Sequence, residues 1–361
     1  MNHTDQQRPR RKHRTRSLGV LACVMFCAAV GLPKHAAAQE FSVPQGDVVP
    51  REVREMYDRG LQYLLKTQTA DGTWQSGSER GGGSTGLALL AFLASGEDPN
   101  FGPYSSAIRK AIRSIIKSQP KTTGYIGPSM YHHGFAMLAL SEAYGAVDET
   151  DLWAGETHAN QRSIGEALEL GVRCAMTSQK TNPFGAWRYS PTARDADTSV
   201  SGAVLVGLLA ARNAGIEVPD ASIDKAIKYF ASMTGGNGIV GYSGGLDGFG
   251  QSIARSSIAC LVFSIAKRKD LKQYKAVEKY VTTNLTESSG WVEYARYYQA
   301  QALFQADIKA WEKWNRSLIR QLKAIQSEDG RFQGDLGAAN STSMALLALA
   351  LNYRFLPIYE R

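Results

Sequence analysis

The chain has 361 residues, 20% of them charged and 43% hydrophobic, with a formal net charge of +8. The excess is local: residues 1–38 hold seven Lys/Arg and one Asp, which leaves +2 for the remainder. Charge is therefore no argument for nucleic acid, and no basic stripe with interleaved aromatics is present; a membrane surface is left open as a partner without being implied.

In chain order, Arg8, Arg10, Arg11, Lys12, Arg14 and Arg16 form a basic start. An apolar run over 17–32 follows, and Ala36-Ala37-Ala38 offers a small-residue cleavage site. The pattern predicts a secretory signal peptide over 1–38, cut after Ala38, and a secreted or periplasmic product that starts at Gln39. The apolar run is 16 residues, short of the roughly 20 that span a bilayer. Beyond it only Cys174 and Cys260 remain, at no CxxC or zinc spacing, so buried free thiols are expected. Residues 39–50 read as an extended lead and 51–361 as one large domain.

From residue 51 the chain repeats itself. An amphipathic stretch, a Gly-aromatic turn and a nearly all-apolar stretch recur six times. The turns read DGTW (71–74), GYIG (124–127), FGAWRY (184–189), GYSGG (241–245), SGWVEY (289–294) and DGRFQG (329–334). Their aromatics are Trp74, Tyr125, Trp187, Tyr242, Trp291 and Phe332, spaced by 51, 62, 55, 49 and 41 residues. In 53–68 the apolar residues Val53, Met56, Tyr57, Leu61, Leu64 and Leu65 make one helical stripe. Similar stripes run through 107–117, 164–177, 223–232, 274–282 and 314–325. The partner stretches 86–94, 134–144, 200–211, 258–266, 299–306 and 343–352 carry little charge on any face, as helices buried all round do. This alternation predicts an all-α (α/α)6 toroid, a single-domain double ring of about twelve helices. Two stretches interrupt it: 147–162 reads as a polar, acid-rich insertion, and 235–250, with eight glycines, as an enlarged turn. No Walker lysine follows that turn, so it is no phosphate cradle.

In such a toroid every inner helix starts at the same end. Helix N-termini carry free N–H groups and a positive dipole end, so one mouth collects the chemistry. Arg194-Asp195-Ala196-Asp197-Thr198-Ser199 precedes an apolar helix. Asp195 and Asp197 either share a proton and form a general acid, or Asp caps the helix, which lowers its pKa. His132 and His133 stand next; adjacent helical residues point about 100° apart, so one of the two faces the mouth. No Cys or Asp spacing completes a metal set, so neither metal nor cofactor is expected. Tyr294, Tyr297 and Tyr298 with Trp291 form an aromatic cluster suited to a carbocation, a sugar or a lipid, or to plain packing. Tyr131, Arg255 and Trp187 complete the candidate binding set.

Gln68-Thr69-Ala70-Asp71-Gly72-Thr73-Trp74 and Gln326-Ser327-Glu328-Asp329-Gly330-Arg331-Phe332 resemble the Q-x-x-D-G-x-W turns of squalene–hopene cyclases. Such turns mark the prenyltransferase and squalene oxidase repeats of the terpenoid cyclase–protein prenyltransferase superfamily. Asp195-Ala196-Asp197-Thr198-Ser199 looks like their acid motif D-x-D-D-T-A. Aligned on Asp195, Asp197 matches the acid and Thr198 replaces the last Asp. Aligned on the D-T step, Ala196 falls where the acid belongs. The resemblance implies an α/α toroid and an isoprenoid substrate, with Asp197 as acid and Asp195 as its partner. Those cyclases have two α-barrel domains; this chain has length for one. The zinc set of the prenyltransferases cannot be placed.

Three readings follow: an isoprenoid cyclase-like enzyme, a non-catalytic binding or scaffold toroid, and a carbohydrate-active toroid with carboxylates across the mouth. An aromatic-lined apolar cavity favours the first, a filled centre the second, and a wide polar cleft with two carboxylates the third. The cyclase reading places Asp195 and Asp197 at the mouth, within reach of His132 or His133.

Overall fold

The computed structural model describes residues 49–75, 81–245, 250–286 and 290–359. The expected signal peptide, and the lead apart from Val49 and Pro50, lie outside these residues. The helices are α1 (Arg51–Thr67), α2 (Gly82–Leu93), α3 (Ser105–Ser118), α4 (Met130–Ala143), α5 (Ile164–Thr181) and α6 (Thr198–Asn213). They continue as α7 (Asp220–Ser232), α8 (Ile253–Ile265), α9 (Lys272–Thr283), α10 (Val292–Ala306), α11 (Ile308–Ile325) and α12 (Ala338–Ala350). Among the described residues there is no strand, only an antiparallel bridge between Thr234 and Val240.

The even-numbered helices close a ring. α2 packs on α4, and the series runs through α6, α8, α10 and α12 back to α2. The odd-numbered helices lie outside it: α3 meets α5, and α1 meets α11 and α12. This is the (α/α)6 toroid. The sequence dictates the sorting. In α3 only Ala107, Ile108, Ala111, Ile112, Ile115 and Ile116 are buried, one stripe of a helix whose other face meets water. In α12, Ala339 and every residue from Ser341 to Ala350 are buried. Such a helix is stable only with neighbours on all sides, where each buried Leu contributes about 1.5–3 kcal/mol.

The turns are stitched by a recurring glutamine. Gln68 Nε2 donates to the carbonyls of Gly72 (3.2 Å) and Ala107 (2.9 Å). Gln119 serves Gly124 and Ala167, and Gln179 serves Gly185 and Ser222, all at 2.8–2.9 Å. Gln326 serves Gly330 and Met56, each at 2.8 Å. Each amide thus ties its own turn to the next outer helix, and Gln326 joins α11 to α1 and shuts the ring. The turn glycines have positive φ, from 64° at Gly185 to 91° at Gly330. A side chain on Gly72, Gly124, Gly238 or Gly330 would also strike the backbone of the next outer helix.

Two residues past each of these glycines a wedge is buried: Trp74, Ile126, Trp187, Val240 and Phe332 are each 0–1% exposed. This corrects the expected register. The fourth turn lies at 237–240 rather than 241–245, and its wedge is Val240. The second wedge is Ile126, not Tyr125. Trp291, 56% exposed, is no wedge at all. Aromatic type alone merged three different positions of the turn.

The insertion folds against α3. Trp153 Nε1 donates to Arg162 O at 2.8 Å, and Lys117 Nζ pairs with Glu156 at 2.7 Å. Buried Arg162 donates to the carbonyls of Ile116 and Gln119 and so closes the C-terminus of α3. Cys174 and Cys260 are free and buried. Burial pushes their thiols up to about 11 and about 12, which leaves them inert at neutral pH. No described helix is long and apolar enough to cross a membrane.

Candidate functional site

All six even-numbered helices start at one end, and their first turns surround a cavity of about 410 Å³. Its wall is chiefly aromatic: Tyr131, Phe135, Tyr189, Tyr242, Trp291 and Tyr294. Leu87, Leu336 and Met344 add apolar surface. Ser84, His132, Ser199, Ser252 and Asn340 supply polar atoms, and Arg255 is the charged group. No carboxylate lines it among the described residues. The Ser84 hydroxyl is buried there without a hydrogen bond. The Tyr294 hydroxyl faces those of Tyr131, Ser199 and Tyr298, and burial drives its pKa up. Arg255 Nε donates to Val240 O at 2.9 Å and Nη2 to Gly250 O. Burial pulls its pKa down.

The two histidines divide as helical geometry requires. His132 lines the cavity, and its Nδ1 accepts the Gly83 N–H at 3.2 Å. A Cβ on Gly83 would come within 2.8 Å of the His132 Cα, so glycine lets α2 begin this close. His133 is fully buried and faces away. Its Nδ1 accepts the Ile126 N–H at 3.0 Å, and its Nε2 lies 3.0 Å from Gly171 O. Burial pulls it down to about 4, so it is neutral. Ser201 and Thr342 do the same work in other repeats, accepting the N–H of the wedges Trp187 and Phe332 at 3.0 and 2.9 Å. His133 thus braces the turn of its repeat and does not line the cavity.

Trp187 also stands outside the lining. It is fully buried, its Nε1 donates to Ala175 O at 2.8 Å, and it does not reach the cavity. Tyr297 and Tyr298 are 1% exposed and pack behind the lining, Tyr297 on Phe135 and Tyr298 on Tyr294. Tyr131, His132, Arg255 and Tyr294 do line it.

Asp197 is buried at the start of α6. Its Oδ1 accepts the Val200 N–H at 2.7 Å, while Oδ2 lies 3.4 Å from Arg188 Nε. Ser129 and Ser252 cap α4 and α8 at the equivalent position, so Asp197 is the N-cap of its repeat. Burial lifts its pKa to about 6, against the opposing pull of the Val200 N–H and of Arg188. Asp195 is largely exposed and pairs with Arg188 Nη1 at 3.2 Å. Neither carboxylate lines the cavity. Arg188 stands at the junction. Its guanidinium lies 5.5 Å from the ring centre of Tyr189 and 5.3 Å from that of Tyr242, and both rings line the cavity. Sequence reasoning missed Arg188, because a loop residue's direction has no periodicity to reveal it. It also missed Tyr229, whose buried hydroxyl makes no hydrogen bond and is raised in pKa by burial and by Asp197. Among the described residues, no group of three or more His, Cys, Asp or Glu is arranged to hold a metal ion.

No protein-family model and no curated protein matches the sequence. Solved structures match the fold. An inactive variant of an α-1,6-mannanase of Salegentibacter sp. HEL1_6, in complex with α-1,6-mannotetrose, aligns with TM-score 0.60 at 9% identity, covering 83% of this chain and 99% of its own. A type II terpene cyclase from Scytonema, in complex with geranylgeranyl dihydroxybenzoate, aligns with TM-score 0.56 at 14% identity, covering 84% and 98%. A glycosidase aligns with TM-score 0.52 at 12% identity, covering 85% and 98%. At these identities the likeness concerns the fold, which both kinds of enzyme share.

Proposed function

We propose that the toroid takes an apolar, isoprenoid-like small molecule into its central cavity. The fold neighbours do not choose between a prenyl and a sugar ligand. The observation that carries the reading is the wall: six aromatic side chains and, among the described residues, no carboxylate. A glycoside hydrolase needs two carboxyl groups flanking the bond, whereas Asp195 and Asp197 share one guanidinium outside the lining. The volume suits a ligand of drug size. Ser84, His132, Arg255 and Asn340 would fix a polar end.

A cyclase-like reaction stands second. The buried Asp197 carboxyl, lifted to about 6, favours it, since part of it keeps a proton near neutrality. Its capping bond and its distance from the lining favour binding alone. We further propose that the protein is exported and begins at Gln39, which N-terminal sequencing of extracytoplasmic protein tests.

Trp291 in the wall provides the test. Titration with geranylgeraniol should change tryptophan fluorescence, and Trp291→Phe should remove most of that change. Binding of mannotetraose with no response to geranylgeraniol would reverse the reading. Turnover of an isoprenoid substrate, abolished in Asp197→Asn, would bring the cyclase reading forward.

A further inference from the structure

A second concave site lies on the outer wall, between α10 and α11, with a volume of about 420 Å³. Four cations line it: Arg296, Lys313, Arg316 and Arg320. No acidic residue lines it among the described residues, and none of the four pairs with a carboxylate there. Its floor is apolar, with Val292, Trp314 and Leu318.

Lys313, Arg316 and Arg320 stand three and four residues apart on α11, so their charges share one face. Like charges at that spacing destabilise a helix. Arg296 faces them from α10 and is partly buried, which pulls its pKa down against the opposing pull of the Glu293 carboxylate on the same helix. Its orientation is built: Nη2 donates to Gln321 Oε1 at 2.9 Å, and Gln321 Nε2 donates to Ser317 Oγ at 3.2 Å. A guanidinium held by a side-chain relay, facing three further cations over an apolar floor, breaks the local rule against like charges. Such breaches mark functional positions. Guanidinium forks match phosphate and sulfate oxygens bidentately.

We propose that this groove binds a phosphate or sulfate ester carried on a short apolar body. The oxyanion lies among Arg296, Arg316 and Arg320, and the body lies on Trp314 and Leu318. The site is separate from the central cavity and does not rest on the reading given to that cavity.

Calorimetric titration with octyl phosphate tests it, with inorganic phosphate and phosphatidylglycerol vesicles as further probes. Octyl phosphate should bind more tightly than inorganic phosphate. The double variant Arg316→Gln/Arg320→Gln should weaken it at least about tenfold. Lys272→Gln/Lys275→Gln on α9, which removes the same charge elsewhere, should change it less than about twofold. Vesicle binding that the α11 variant abolishes identifies a lipid headgroup as the source of the ester; octyl phosphate binding without vesicle binding identifies a soluble one. Equal losses in the two double variants would mean diffuse attraction and overturn the site, as would no binding of any probe.

Discussion

The phenol oxygens of Tyr189 and Tyr242 lie 2.8 Å apart, in hydrogen-bond contact across two repeats of the toroid. Each residue stands four positions after its turn glycine, Gly185 or Gly238. Their carbonyls hold the starts of the preceding inner helices symmetrically: Tyr189 O accepts from Met130 N of α4 at 2.8 Å, and Tyr242 O from Thr198 N of α6 at 2.9 Å. The repeat therefore assigns one turn position to the buried wedge and another to the cavity wall.

Removing the Tyr242 ring should open the wall. Tyr242→Ala is expected to weaken binding of an apolar ligand at least about tenfold, since a buried aromatic contributes roughly 1.5–3 kcal/mol. Tyr242→Phe keeps the ring and should change affinity less than about threefold. Fluorescence titration of both variants checks this. Equal affinity in the alanine variant would show that the ligand does not use this wall.

His133 should matter to stability and not to binding. His133→Ala strands the Ile126 N–H and the Gly171 C=O and leaves a cavity, at a cost of about 2–4 kcal/mol. The pH sign is set by a folded pKa of about 4 below the ordinary 6.5. The unfolded chain binds the extra proton between those values, so this group's contribution is present above about 6.5 and lost as pH falls toward 4. Urea unfolding of His133→Ala should lack that dependence, and ligand affinity per folded molecule should be unchanged.

The architecture was legible because two periodicities differ: one-stripe helices such as α3 alternate with all-apolar helices such as α12. The mouth was legible in part, because inner-helix starts converge on it, and Tyr131, His132, Arg255 and Tyr294 follow from that alone. The turn register was not. Tyr125, Trp187 and Tyr242 are alike in type but differ in distance from their glycine, and only that distance decides burial. Nor could the residue types at 195–197 separate an acid from a cap, because the answer depends on Arg188, which is brought in by a loop.

Gln326 should behave as a clasp. Gln326→Ala removes the only side-chain amide that joins the turn of α11 to Met56 of α1 among the described residues. Two carbonyls lose a donor, so stability should fall by about 1–3 kcal/mol. Hydrogen exchange should accelerate first in α1 and α11, the elements at the seam. Uniform acceleration around the ring would mean that the closure is not a weak point.

Asp197 sets the last prediction. Its carboxyl stands at about 6 in the fold against 3.8 ordinarily, chiefly through burial. Between those values the folded chain holds a proton that the unfolded chain has lost. Stability from this group is therefore highest below about 4, falls as pH rises through about 6, and is flat above. The whole slope amounts to roughly 1–3 kcal/mol. It runs opposite to that of His133 over much of the same range, so it must be read as a difference between wild type and Asp197→Asn. Asn keeps the cap, so the variant should match wild type near pH 4 and exceed it increasingly toward pH 7. Asp197→Ala loses the cap as well and should lie below the Asn variant by about 0.5–2 kcal/mol at every pH. Urea midpoints across pH 4–8 measure all three. A wild type that gains on Asp197→Asn as pH rises would mean that the Arg188 guanidinium outweighs burial and that the carboxylate is ionised in the fold.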